Sequence, residues 1–281
     1  MGNVNDFSLY VITGENYHPG RDMIEVMEEA LLGGADIVQL RDKTSSRDEL
    51  LRKARQLRTL TKRFGVPLII NDYIDLALEV GADGVHLGQE DVTLEEARAR
   101  LGSGRIIGIS THAIEEARAA QSGGADYIGA GPVFPTGTKP GAKAVTLDYV
   151  RQVAAEITIP FVAIGGITTD NADDVLAAGA KRLCAVSAVV GSPDVRGVCE
   201  QLVSRIRAAR GSGYEAKEIV LNGRPQPAFA AHIDELVGRH GLLGRKLVVE
   251  LDGMIVPQEE WRTTVLPAGA KVELVHFVGG G

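Results

Sequence analysis

Residues 128–141 read IGAGPVFPTGTKPG and carry four glycines, three prolines, two threonines and one lysine. That composition excludes a helix and the interior of a regular strand. Glycines let a backbone approach a ligand closely, and their N–H groups converge on anions. Thr136 and Thr138 add hydroxyl donors on either side of Gly137, and Lys139 adds a positive charge. The chemistry this stretch suits is the gripping of a phosphate or diphosphate. Its plain counterpart is a Pro/Gly loop with a solvated lysine. The choice between them turns on what else the chain brings to the same place.

Four segments of the chain look alike: GADIVQL (34–40), GADGVHL (81–87), GADYIGA (124–130) and GAKRLCAVS (179–187). Each is a short buried-strand pattern, and each follows a helical pattern that stops at or near glycine. LYVIT (9–13), VPLIIN (66–71), RIIGIS (105–110) and IPFVAIGGI (159–167) supply four more strands. Continuous apolar strands separated by helices predict a parallel sheet covered on both faces. Eight such units within residues 1–210 predict an α/β fold of the TIM (β/α)₈ barrel type. A doubly wound open sheet is the alternative, but no G-x-G-x-x-G follows the first strand.

In a barrel the chemistry sits at the C-terminal ends of the strands. The polar residues fall there: Gln39, Arg41, Asp42 and Lys43 after the second strand, Asn71 and Asp72 after the third, and His86 to Asp91 at the fourth. Ser110 ends the fifth, the glycine loop follows the sixth, and Gly165-Gly166 and Val186-Ser187 end the seventh and eighth. Arg41, Lys43 and Lys139 suit a polyanion; as surface charges they would pair with neighbouring acids, and Asp42 stands beside Arg41. Asp72 and Asp91 suit Mg²⁺ shared with a diphosphate; their counterpart role is helix N-capping, since Asp72 precedes a helical segment. Gln39 and Asn71 suit a heterocycle or loop backbone. The six histidines show no H-E-x-x-H or similar spacing, so no zinc site is expected. Two anion sites on one rim with a carboxylate pair point to a transferase that joins two phosphorylated molecules and releases diphosphate.

The formal net charge of −7 gives no electrostatic case for nucleic acid. Cys184 and Cys199 lack C-x-x-C spacing and read as buried thiols of a reducing compartment. No secretory signal or membrane-spanning run is visible, so the cytoplasm is the expected location. Oligomeric state stays open, homo-oligomers included.

The motifs QLRDK (39–43), ND (71–72), HLGQED (86–91), GIS (108–110), GPVFPTGTK (131–139), IGGI (164–167) and VS (186–187) occur in the order found in thiamine phosphate synthases. Residues 1–210 resemble that family. The resemblance implies coupling of hydroxymethylpyrimidine diphosphate to a thiazole phosphate, with diphosphate leaving first and the thiazole nitrogen capturing the resulting carbocation. It implies that Gln39, Arg41, Lys43, Asn71, Ser110 and Lys139 hold the pyrimidine diphosphate, with Arg41, Lys43, Lys139 and Ser110 serving catalysis. It further implies that Asp72 and Asp91 bind Mg²⁺, and that Thr136, Gly137, Thr138, Gly166, Val186 and Ser187 hold the thiazole phosphate. A thiazole tautomerase on the same fold is the alternative; it lacks much of the diphosphate-binding set.

Gly211-Ser212-Gly213 reads as a linker, after which residues 214–281 change character. An N-G hairpin, a helix, a D-G hairpin and a final strand predict a β-grasp, ubiquitin-like domain. Its LNGRP, IDELV and DGMIVPQEEW segments and closing glycines resemble the sulfur carrier of thiazole synthesis. That resemblance implies a thiocarboxylate at Gly280-Gly281, with an adenylating enzyme and a thiazole synthase as partners. Three glycines, Gly279 to Gly281, stand where two are expected, which leaves the reactive one open. A non-catalytic barrel that presents the carrier is the second alternative.

Overall fold

The computed structural model describes residues 7–137, 144–210, 217–228 and 230–276, which form two compact units. In the first, eight parallel strands close into a barrel in sequence order, with the eighth paired to the first. The strands are β1 (Leu9–Ile12), β2 (Ile37–Leu40), β3 (Leu68–Asn71), β4 (Gly84–Leu87), β5 (Ile106–Thr111), β6 (Tyr127–Ala130), β7 (Phe161–Ile164) and β8 (Leu183–Ala185). The helices are α1 (Met23–Leu32), α2 (Arg47–Phe64), α3 (Ile74–Val80), α4 (Leu94–Leu101), α5 (Ile114–Ser122), α6 (Thr146–Glu156), α7 (Ala172–Ala177), α8 (Ser187–Val190) and α9 (Val195–Arg210). Strand residues such as Leu9, Val38, Ile69 and Val85 are fully buried, as expected where helices cover the outer face.

The repeated Gly-Ala-Asp segments have a structural cause. Helix α3 ends on Gly81 at φ +62°, a left-handed position that glycine takes without steric cost. The aspartate two residues on then accepts a backbone N–H from the neighbouring strand. Asp36 Oδ1 takes Leu9 N at 2.9 Å, Asp83 Oδ2 takes Leu68 N at 2.8 Å, and Asp126 Oδ2 takes Ile107 N at 2.7 Å. Arg58 and Arg98 neutralise Asp83 and Asp126. These contacts fix the N-terminal rim, the end of a barrel that serves stability, and leave the other rim for chemistry.

The second unit is a five-stranded sheet in the order β10-β9-β13-β11-β12, with one α-helix among the described residues, α10 (Ile233–Arg239). Its strands are β9 (Lys217–Leu221), β10 (Arg224–Ala228), β11 (Leu247–Leu251), β12 (Met254–Val256) and β13 (Lys271–His276). Strand β13 lies in the middle, parallel to β9 and antiparallel to β11, which makes the unit a β-grasp. The two predicted hairpin turns hold this strand: Asn222 Oδ1 accepts Leu274 N and Asp252 Oδ1 accepts Lys271 N, both at 2.8 Å. Ile233, Leu236, Val237, Val249, Trp261 and Val272 form its core, and the Trp261 indole N–H donates to Val256 O at 2.9 Å.

Candidate active site

The loop after β2 is tied down from below. Arg41 N donates to Thr13 Oγ1 at 2.9 Å, joining it to the end of β1. Asp42 does not pair with Arg41. It accepts from Lys53 Nζ on α2 at 2.6 Å and from the backbone N–H of Thr44 and Ser45. Burial pushes the Asp42 carboxyl upward, but these hydrogen bonds outweigh it and hold the group well below the usual carboxylate range. Lys53 also reaches Glu15 at 2.8 Å, so one buried ammonium joins the first and second loops. The guanidinium of Arg41 has no ion-pair partner among the described residues and borders the cleft.

Lys43 spans to the next loop, with Nζ 2.9 Å from Asp72 Oδ2. Asp72 adopts φ +63°, uncommon for a residue with a side chain. It does not cap α3: the N-cap is Tyr73, and no side chain caps that helix. Burial pushes the Asp72 carboxyl above its ordinary value; Lys43 opposes the shift and the neighbouring Asp91 carboxylate adds to it. Asp91 Oδ2 meanwhile accepts Gly88 N at 2.6 Å. Among the described residues, two carboxylates beside one ammonium leave negative charge over, and that donor set fits a hard divalent cation. Among the described residues no group of three or more His, Cys, Asp or Glu is placed to hold a metal ion.

The glycine loop after β6 packs on the loop after β7 at backbone distance. Val133 N donates to Ile164 O at 2.9 Å and Phe134 N to Gly165 O at 3.0 Å. A Cβ on Gly165 would lie 2.3 Å from Pro132, and one on Gly166 2.7 Å from Pro135 O. Both glycines also hold positive φ, so no other residue fits here without moving the loops. A Cβ on Gly137 would lie 3.5 Å from the Tyr17 hydroxyl. Thr138 and Lys139, like Gly279, Gly280 and Gly281, lie outside the described residues.

All eight strand ends border one open cleft. Gln39, Arg41, Asn71, Ser110, Thr136, Gly166, Val186 and Ser187 line it. Lys43, Asp72, Asp91 and Gly137 do not. His86 and His112 also line it; counting to the strand ends puts His86 on this rim, whereas nothing in the sequence points to His112. Nδ1 of His112 lies 3.2 Å from Glu116 Oε2.

The model of the thiamine monophosphate synthase family matches residues 9–189. A thiamine-phosphate synthase of Halalkalibacterium halodurans is 58% identical over 211 residues, 75% of this chain and all of its own. The chain belongs to the thiamine monophosphate synthase family. The thiamine phosphate pyrophosphorylase structure from Pyrococcus furiosus matches at 40% identity and a TM-score of 0.68, over 74% of this chain and 98% of its own. A geranylgeranylglyceryl phosphate synthase of Thermoplasma acidophilum shares the fold alone, at 18% identity and a TM-score of 0.56, over 73% of this chain and 94% of its own. The ThiS family model matches residues 214–281. The chain is thus a transferase with thiamine-phosphate synthase activity, fused to a ThiS-like sulfur carrier. Family membership implies dependence on Mg²⁺, and the carrier domain points to thiazole-pathway enzymes as its partners. No helix among the described residues is long and apolar enough to cross a membrane.

Proposed function

We propose that the cleft binds hydroxymethylpyrimidine diphosphate and thiazole phosphate together, the first toward β2, β3 and β5 and the second toward the loops after β6, β7 and β8. The observation that carries this reading is the convergence of Gln39, Arg41, Asn71, Ser110, Thr136 and Ser187 on one cleft. Arg41, Lys43 and Lys139 hold the diphosphate. Gln39 and Asn71 hold the pyrimidine ring. Thr136, Gly137, Thr138, Gly166, Val186 and Ser187 hold the thiazole phosphate.

The carbon–oxygen bond to diphosphate breaks first, and the diphosphate departs with the electron pair. Positive charge on the departing carbon spreads into the pyrimidine. The thiazole nitrogen then donates its pair to that carbon and closes the new carbon–nitrogen bond. The residues therefore do two things: Arg41, Lys43, Lys139 and Ser110 stabilise charge gathering on the leaving group, and the loop glycines fix the nucleophile's position. Asp72 and Asp91 would hold Mg²⁺, which when bound neutralises further charge on the diphosphate. Buried Cys184 and Cys199 take no part, since burial pushes both thiols far above their ordinary range.

The carrier reading is finer for the tail. The terminus at Gly280-Gly281 is activated by an adenylating enzyme and carries sulfur as a thiocarboxylate to a thiazole synthase; the match of the ThiS family to residues 214–281 supports this. Residues 1–210 and 214–281 act as separate modules joined by Gly211-Ser212-Gly213.

The test uses the full chain and the chain cut after residue 210. Both should form thiamine phosphate from the two purified substrates, and only with Mg²⁺. Intact-mass spectrometry after incubation with ATP, a sulfur donor and the activating enzymes should show a thiocarboxylate on the full chain alone. Absence of turnover in both proteins would support a barrel that only presents the carrier.

A further inference from the structure

Beneath the cleft, five polar side chains from five strands form one unbroken line. Nε2 of Gln39 donates to the Tyr10 hydroxyl at 2.8 Å, and the Tyr10 and Tyr127 hydroxyls lie 2.8 Å apart. The Tyr127 hydroxyl meets Nδ1 of His86 at 2.9 Å, and Nε2 of His86 meets Ser110 Oγ at 2.9 Å. Both ends, Gln39 and Ser110, border the cleft; the two tyrosines lie below it, fully buried. Gly108 makes the space, since a Cβ there would lie 2.1 Å from the Tyr127 ring. Burial pushes both phenols well above their ordinary range, so each keeps its proton.

With the Gln39 amide placed as in this structure, proton accounting fixes what each end offers. An amide nitrogen donates and cannot accept. Tyr10 therefore accepts from Gln39 and must place its own proton on Tyr127, its other hydrogen-bond partner. Tyr127 must then donate to Nδ1 of His86. A neutral His86 carries its proton on Nε2 and gives it to Ser110 Oγ. That leaves the Ser110 hydroxyl proton and the Gln39 carbonyl oxygen for the cleft. With a neutral imidazole, the full reverse of these four hydrogen bonds also satisfies every member. It turns the Gln39 amide over, moves the His86 proton to Nδ1, and makes Ser110 an acceptor. Any break in direction leaves a buried polar group unpaired, at a cost of about 1–3 kcal/mol.

We propose that Tyr10, Tyr127 and His86 are positioning residues whose hydrogen-bond chain runs from Gln39 to Ser110 and ties the polarity of one end to the other. The cleft thereby offers an acceptor on β2 and a donor on β5. That pattern is complementary to a ligand with an N–H group at one end and an anion at the other, as in an aminopyrimidine diphosphate. The ligand half of this inference rests on the reading of Gln39 and Ser110 as substrate contacts; the proton placement does not.

The experiment is ¹⁵N NMR of the full chain labelled at histidine, without substrate, with His86 assigned by its loss in His86→Gln. The expected result is a neutral ring with the proton on Nε2 and a bare Nδ1. Tyr127→Phe keeps the ring that fills the space at Gly108 and removes the donor to Nδ1. It should give a mixture of tautomers and raise KM for the pyrimidine diphosphate about tenfold, the effect of one lost hydrogen bond, with KM for the thiazole phosphate nearly unchanged. Tyr10→Phe, which breaks the chain one step earlier, should shift KM the same way and serves if Tyr127→Phe fails to fold. A wild-type His86 protonated on Nδ1, or on both nitrogens, overturns the proposal. So does an unchanged KM in the folded Phe variants. The expected tautomer with KM raised equally for both substrates would leave the chain standing and remove Gln39 and Ser110 from that substrate's site.

Discussion

Asp42, between the rim cations Arg41 and Lys43, accepts a hydrogen bond from Lys53 Nζ at 2.6 Å, and both side chains are nearly enclosed, 10% and 8% exposed. The hydrogen bonds that hold the Asp42 carboxyl low make its contribution to stability depend on pH. A group whose folded value lies below its unfolded value stabilises fully above the unfolded value, about 3.9 for aspartate. That contribution is lost as pH falls from there through the folded value. Asp42→Asn should therefore lower the unfolding free energy by about 1.5–3 kcal/mol near neutrality. The gap from wild type should close below about pH 4. Denaturant titrations at several pH values read both effects; a gap that ignored pH would mean that Asp42 is not the group holding Lys53.

Arg41 borders the cleft with no ion-pair partner among the described residues, so its charge is available to a ligand. Arg41→Ala and Lys139→Ala should each lower kcat/KM about ten- to a hundredfold, the worth of a charge-assisted hydrogen bond of ~1.5–3 kcal/mol. Melting temperatures should stay within a few degrees of wild type. Steady-state kinetics beside calorimetry checks this, and wild-type turnover in either variant would remove that residue from the site.

Asp72 and Asp91 crowd one another, and among the described residues Lys43 is the ammonium paired with Asp72. Asn at either position should raise the Mg²⁺ concentration for half-maximal turnover about tenfold or more, roughly the loss of one charged ligand. Because Tyr73, not Asp72, occupies the N-cap of α3, the melting temperature should barely move. A Mg²⁺ titration of turnover for each variant decides it. A lower melting point with an unchanged Mg²⁺ requirement would return Asp72 to a structural role.

Gly166 combines φ +64° with a Cβ position 2.7 Å from Pro135 O. Gly166→Ala must push the loops after β6 and β7 apart. The expected outcome is a KM for the thiazole phosphate raised about tenfold or more, the cost of misplacing a positioned group, with a smaller change for the pyrimidine diphosphate. Equal effects on both substrates would argue that the two loops serve the cleft as a whole.

The eight strands were legible because parallel barrel strands are buried on both faces and read as continuous apolar runs. The helices were marked by their glycine stops. Rim residues such as Gln39, Asn71 and Ser110 followed from counting to the end of each strand. What spacing could not show are contacts made only by closure of the barrel. Tyr10 and Tyr127 are 117 positions apart and look like ordinary core aromatics, yet their hydroxyls meet. His86 has no ligand-like spacing because its partners lie on β5 and β6. Asp42 had Arg41 as its neighbour in sequence, but the turn of α2 brings Lys53 to it instead. Asp72 stood in a capping position one residue too early for the helix that forms.

Strand β13 has a consequence for the order in which the chain is made. It is inserted between β9 and β11, so before Lys271 has been added the two hairpins of the small domain have no strand pairing between them. Isolated hairpins are marginal in water, whereas the barrel strands all precede residue 190 and can assemble earlier, since domains fold from the N-terminal side during synthesis. A ribosome that stalls inside the carrier leaves the barrel strands complete and an appendage without its central strand, open to proteolysis. The strand that completes the sheet is also the strand from which the glycine tail continues. Gly279 to Gly281 can therefore be added only after every strand of the sheet has been made.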